Sequence, residues 1–202
     1  LEPGEWRGVL EQARRHGVAS LLYRQVRAAQ LDPPAEILAA LQQTTRLTAT
    51  RNLLLYHELA KILPRFAQHG LPVIALKGLH LSELVYQDPS LRPMSDMDLL
   101  VPVDRLQASY SLLQEIGYLA PPFTNPEKEA RRHHHLPPLT KKNAGIIELH
   151  WNLAAPNSSH PVDLEALWQR THTQTLAGIP AQVLSPEDLL LHLALHFNSH
   201  NF

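Results

Sequence analysis

The sequence predicts an α+β chain, with a helical region over residues 1–70, a small α/β core over 71–185 and the start of a helical tail over 186–202. Two changes of pattern carry that reading. Apolar residues recur at helical spacing as far as His69, and after Gly70 they shorten into β-branched runs punctuated by turn residues. From Pro186 the helical spacing returns.

In the first region Trp6, Val9, Leu10 and Ala13, then Val18, Leu21, Leu22 and Val26, trace two helices parted by Gly17. Pro33 and Pro34 open a longer helix running toward His69, with Pro64 near its end as a candidate kink. Leu71 to Leu76 reads as a buried strand, and Lys77–Gly78 turns it into a short helix over 79–86. Asp88–Pro89 and Arg92–Pro93 mark a loop, and Met97 to Val101 is a second strand. Asp104 is a candidate N-cap for a helix through Ile116, ended by Gly117. A short strand at 118–120 follows. Residues 131–139 and 145–151 then form an expected antiparallel hairpin. Residues 163–170 read as a short helix, and 171–176 and 181–184 as strands around Gly178. Ser185 caps the last helix, with Glu187 and Asp188 in its first turn. That helix runs toward Phe197 without a stop signal, so further helices are expected beyond Phe202.

A hydrophobic content of 44% supports a real core, and a charged content of 18% argues against a disordered tail. Eighteen basic against nineteen acidic residues leave a net charge of −1, which disfavours a strongly basic nucleic-acid binder. With no cysteine there is no disulfide framework, thiolate zinc site or cysteine nucleophile, a composition that fits a cytoplasmic chain. No apolar run approaches the ~18–20 residues that span a bilayer, so no membrane partner is expected. Residues 1–7 lack the basic-then-apolar order of a secretory signal.

The chemistry concentrates in three acids. Asp96 and Asp98 sit one residue apart on a strand, so both carboxylates project to one face while Met97, Leu99 and Val101 take the other. Two like charges that close call for a cation, and paired carboxylates suit magnesium. A bare Asp-x-Asp is as readily a pair of solvated acids. Upstream, Val73 to Gly78 runs from a strand into a glycine turn and a helix start, where backbone N–H groups favour phosphate. Lys77 and Ser82 are candidate phosphate contacts there, and Arg92 offers a guanidinium fork. Glu148 lies in the apolar run Ile146 to Trp151, sharing a face with Ile146 and His150. A carboxylate so placed needs a partner: an arginine such as Arg92, or a metal shared with the two aspartates.

Leu76-Lys77-Gly78, Tyr86, Asp88-Pro89, Arg92, Asp96 to Val101, Gly117-Tyr118 and Glu148-Leu149-His150-Trp151 together resemble the uncharacterised nucleotidyltransferase family of the polymerase-β-like superfamily. The resemblance is strong over 71–153. It implies a mixed sheet flanked by helices, with Asp96, Asp98 and Glu148 holding two magnesium (or manganese) ions. It also implies Lys77 and Gly78 in the turn that receives an NTP. The implied reaction is transfer of NMP to an acceptor hydroxyl. Asp98 would bridge the ions, Asp96 would serve the nucleotide side, and Glu148 the catalytic side. Leu79 stands where the superfamily usually has serine, and seventeen residues separate Gly78 from Asp96.

Thirteen histidines raise a zinc alternative. On a strand His133 and His135 share a face, with His150 across the hairpin; a solvent-facing cluster is the plainer reading. His192 and His196 are spaced i, i+4 and continue to His200; they read as polar positions on the helix, with no glutamate between of the His-Glu-x-x-His kind. Three functions therefore compete. One is a nucleotidyltransferase acting on a small molecule, protein or RNA end, with long nucleic acid disfavoured by charge. Another is a degenerate copy that binds or regulates without turnover, and the last is a histidine metallohydrolase.

Overall fold

In the computed structural model, which describes residues 2–199, the helical and strand patterns sort into two units. One comprises Leu1–Leu54 with Leu81–Met94, and the other Leu55–His80 with Ser95–Phe202. No helix of the described residues is long and apolar enough to cross a membrane.

The first unit contains α1 (Pro3–Arg15), α2 (Ala19–Ala28) and the first half of α3 (Ala35–Gln68). The turn between α1 and α2 is made by Gly17 at φ +69°, a conformation that costs a side-chain-bearing residue. Trp6, Leu10, Ala13, Ala19, Val26, Ile37 and Leu41 form its core. Asn52 organises the loop that follows Asp88–Pro89: its amide donates to the carbonyls of Pro89 and Arg92 at 2.6 and 2.7 Å, and its side-chain oxygen accepts from the Met94 N–H.

The second unit is built on a five-stranded mixed sheet, ordered β3-β2-β1-β5-β4. Its strands are β1 (Ile74–Ala75), β2 (Asp96–Leu100), β3 (Ile146–His150), β4 (His172–Leu176) and β5 (Ile179–Val183). β2 runs antiparallel to β1 and parallel to β3, β5 runs parallel to β1, and β4 closes the edge antiparallel to β5. Ile74, Leu76, Met97, Leu99, Ile147, Leu149 and Val183 are fully buried, each contributing about 1.5–3 kcal/mol of apolar burial. Helices α4 (Lys77–His80), α5 (Leu106–Glu115), α6 (Pro126–Ala130), α7 (Leu164–Gln169) and α8 (Pro186–Ser199) belong to the same unit, and α8 packs on α4. Gly145 admits β3 to this core, because a Cβ there would overlap Leu55 Cδ2.

Several elements depart from expectation. The strand expected over 71–76 shortens to two residues, with Pro72 contributing no N–H to a ladder. The helix expected over 79–86 starts at Lys77 and passes into a π-helical turn, Leu81–Val85. Asp104 is no N-cap; it lies within a 3₁₀ turn, Val103–Arg105, that precedes α5. The 118–120 strand is a single bridge, Leu119 to Thr140. The first arm of the expected hairpin meets β3 only at the bridges His135–His150 and Leu139–Ile147. Pro137 and Pro138 interrupt it, since neither donates to a ladder. Helix α3 continues through Pro64. His200 lies outside the described residues.

The start of α8 is set by Ser185, whose Oγ accepts from the Asp188 N–H at 3.1 Å while its own hydroxyl donates to Asp188 Oδ2 at 2.8 Å. The Arg170 guanidinium grips the same carboxylate through Nε and Nη2 at 2.8 and 2.7 Å, and holds its pKa below the ordinary carboxylate range. A depressed folded-state pKa stabilises the fold above the unfolded value, about 3.9, and that contribution is lost as pH falls through the folded value. Asp188→Asn should therefore lower the melting temperature by roughly 2–5 °C at pH 7. The gap from wild type should shrink below about pH 4, as scanning calorimetry across pH would read.

Candidate functional site

The register of β2 against β3 brings the acids together. Asp98 is the direct cross-strand neighbour of Glu148, Asp96 of Ile146 and Leu100 of His150. With side chains alternating along each strand, Asp96, Asp98, Glu148 and His150 fall on one face, while Met97, Leu99, Ile147 and Leu149 are buried on the other. β1 flanks β2 on its other side, and the Leu76 N–H donates to the Asp98 carbonyl at 3.0 Å. The chain then turns at Lys77, whose backbone sits at φ +30°, a region that non-glycine residues seldom occupy.

That turn aims the lysine inward. Lys77 Nζ donates to Asp98 Oδ1 at 3.0 Å, and His150 Nε2–H donates to the same oxygen at 3.0 Å. His150 also reaches Glu148 Oε2 at 3.6 Å. These groups are deep: Asp98 is 5% exposed, Lys77 9% and His150 2%. Burial pushes the Asp98 carboxyl up, but the His150 hydrogen bond and the Lys77 charge outweigh it and hold the group far below its ordinary value. His150 shows the mirror effect, since burial lowers it and the bonds to Asp98 and Glu148 raise it. The His150 hydrogen bond lowers Glu148. Asp96 is raised, first by burial and then by the negative charges of Asp98 and Glu148. The face is thus crowded with negative charge, partly neutralised by one ammonium and one imidazole. Asp98, Glu148 and His150 each offer a ligand atom, all within 4.8 Å of one another, a donor set that suits a divalent cation.

A model of the family described as uncharacterised nucleotidyltransferase matches residues 2–202. The chain belongs to that family. Among solved structures, TM1012 of Thermotoga maritima, assigned as a nucleotidyltransferase, superposes with a TM-score of 0.53 at 13% identity, covering 71% of this chain and 85% of that one. This likeness is one of fold. The lincosamide antibiotic adenylyltransferase LnuA, in its lincomycin-bound form, gives 0.48 at 18% identity over 67% of this chain and 83% of its own. The antibiotic-resistance factor ANT(2'')-Ia gives 0.48 at 14% identity over 75% and 74%. No curated protein sequence matches the chain.

Within the sheet unit, Asp98 and Glu148 are adjacent and Asp96 is one pleat along. Gly78 lies buried inside α4, so the backbone departure falls on Lys77, not on the glycine. Ser82 and Arg92 belong to the other unit; Ser82 is fully buried with no hydrogen-bond partner for its hydroxyl among the described residues, and the Arg92 carbonyl is held by Asn52. The expected pairing of His133 with His135 gives way to His134 and His135, whose rings stand 5.8 and 5.0 Å from His150. His133 turns instead toward Glu129 at 3.6 Å. Residues 131–136 lack a regular strand, so strict alternation of faces does not apply.

Two residues carry more than the sequence suggested. His150 is the shared partner of Asp98 and Glu148, a role readable from its i, i+2 spacing to Glu148. His192 was expected on a polar helix face, yet it is 2% exposed and neither ring nitrogen has a hydrogen-bond partner among the described residues. Burial, followed by the charges of Lys77 and His150, lowers it to about 3.

Removing the ammonium from this site should be costly. Lys77→Met leaves the buried Asp98 charge with His150 alone, and a loss of about 2–3 kcal/mol in urea-unfolding free energy is expected.

Proposed function

We propose that this chain transfers a nucleoside monophosphate from an NTP to an acceptor hydroxyl, with magnesium or manganese held by Asp96, Asp98 and Glu148. The observation that carries the reading is the in-register adjacency of Asp98 and Glu148 on parallel strands, with Asp96 on the same face. Three acids on one face, one of them raised by burial and then by its neighbours' charge, form a site that a cation relieves. A divalent cation bound there would polarise the α-phosphate and lower the pKa of the acceptor hydroxyl.

The chain's own groups account for the remainder. The acceptor oxygen bonds to the α-phosphorus, the bridging P–O bond to the β-phosphate breaks, and pyrophosphate leaves. The hydroxyl proton passes to Glu148, the less buried of the two paired acids, because Asp98 is held far below its ordinary value by Lys77 and His150. Lys77 supplies a positive charge where the triphosphate would lie, beside α4. His150 orients Asp98 by donating to it and lies 3.6 Å from Glu148 Oε2, close enough to attract that carboxylate. A small molecule or protein is favoured as acceptor over long nucleic acid, in keeping with the near-zero net charge. Consumption of NTP goes with a cytoplasmic location.

The test is transfer of label from each [α-³²P]NTP to acceptor pools with Mg²⁺ or Mn²⁺, alongside calorimetric Mn²⁺ titration. Glu148→Gln is isosteric and should weaken Mn²⁺ binding by about a hundredfold or more, with label transfer lost and melting temperature kept. Wild-type protein that binds neither NTP nor Mn²⁺ would favour the non-catalytic alternative.

A further inference from the structure

Two cavities in the sheet unit share lining residues, and the smaller reaches Lys77 and His150, the two partners of Asp98. The smaller, about 190 Å³, is lined by Lys77, His134, His150, Ser158 and His192 among others. The larger, about 500 Å³, has apolar walls from Pro161, Val162, Leu167 and Leu191. Leu153, His192 and Leu195 line both, so His192 stands at their junction. A volume of this order suits a small organic ligand.

The charged groups around the larger cavity are already engaged. Arg170 and Asp188 bond to each other at 2.7 and 2.8 Å, and the Asp163 carboxylate accepts from the Ala166 N–H at 3.1 Å. What remains for a ligand is mainly apolar wall, with the exposed His160 ring at the rim. His192 is the exception: a buried imidazole with one donor and one acceptor, both without a partner among the described residues. An unpaired buried polar group burdens the folded state, and leucine would suit the apolar surroundings better. A partner entering the cavity could meet both ring nitrogens.

We propose that the joined cavities are the acceptor site, the larger holding the uncharged, mainly apolar body of a small molecule while His192 hydrogen-bonds the hydroxyl that receives the nucleotide. The inference rests on the nucleotidyl-transfer reading and names its substrate class. The smaller cavity runs from His192 to Lys77 and His150, the two donors on Asp98, so a hydroxyl entering it would lie one side chain away from that carboxylate.

The probes are 4-phenyl-1-butanol and its deoxy analogue n-butylbenzene, with binding followed by saturation-transfer NMR and the His192 ring by ¹⁵N shifts. Wild-type protein should bind the alcohol roughly tenfold more tightly than the hydrocarbon. His192→Leu should erase that preference while raising the melting temperature. Val162→Trp, filling the larger cavity, should weaken both probes. Equal binding of the two probes to wild type, or binding of neither, overturns the proposal. Calorimetry with Mn²⁺·ATP on the same protein separates the two failures. ATP bound without a hydroxyl preference removes the acceptor site alone, and absence of ATP binding removes the transfer reading with it.

Discussion

A single carboxylate oxygen organises the sheet unit. Asp98 Oδ1 is buried and accepts from both Lys77 and His150, so it ties the exit of β1 to the middle of β2 and the end of β3. A carboxylate taken this far from water is tolerable only when its lone pairs are met and its charge balanced. Lys77 reaches it because the chain turns at a positive φ immediately after β1, and His150 because the strand register sets it one pleat beyond Glu148. Each contact depends on backbone placed by the apolar core beneath.

That dependence explains why the acids meet at all. Met97, Leu99, Ile147 and Leu149 are fully buried on the opposite face, and a slip of β3 by one residue would drive Glu148 and His150 into that core. The register that packs the hydrophobic side is therefore the one that aligns Asp98 with Glu148. Gly145 belongs to the same constraint, since a side chain there would meet Leu55 as β3 begins. Apolar packing sets the geometry, and the polar face inherits it.

The sequence exposed whatever follows from local period. Asp96, Asp98 and Glu148 were legible because alternation on a strand fixes which side chains share a face, and the helices of the first unit because their stripe is regular. Tertiary facts were hidden. Nothing in Lys77–Gly78 announces that the lysine, not the glycine, takes the positive φ and turns into Asp98. Alternation failed at His133 to His135 because Pro137 and Pro138 prevent a continuous ladder beside β3. For His192 the helical period defines a face, but what covers that face is decided by how α8 packs on α4.

Several departures from local rule gather around one place. Lys77 holds an uncommon backbone angle, three like-charged carboxyls crowd one sheet face, His150 Nδ1 lacks a partner, and His192 lacks one at either nitrogen. Each is unfavourable alone, and others of the kind lie elsewhere in the unit, among them the positive φ of Phe123 and Asn143 and the buried Ser109 hydroxyl. Such unfavourable features cluster at sites of binding or chemistry. Their common direction also matters: Lys77, Asp98 and His150 are preorganised around one oxygen, whereas His192 is left waiting. In the transfer proposed above, the preorganised groups would serve the nucleotide and His192 the second substrate, which would bring the missing hydrogen-bonding group with it.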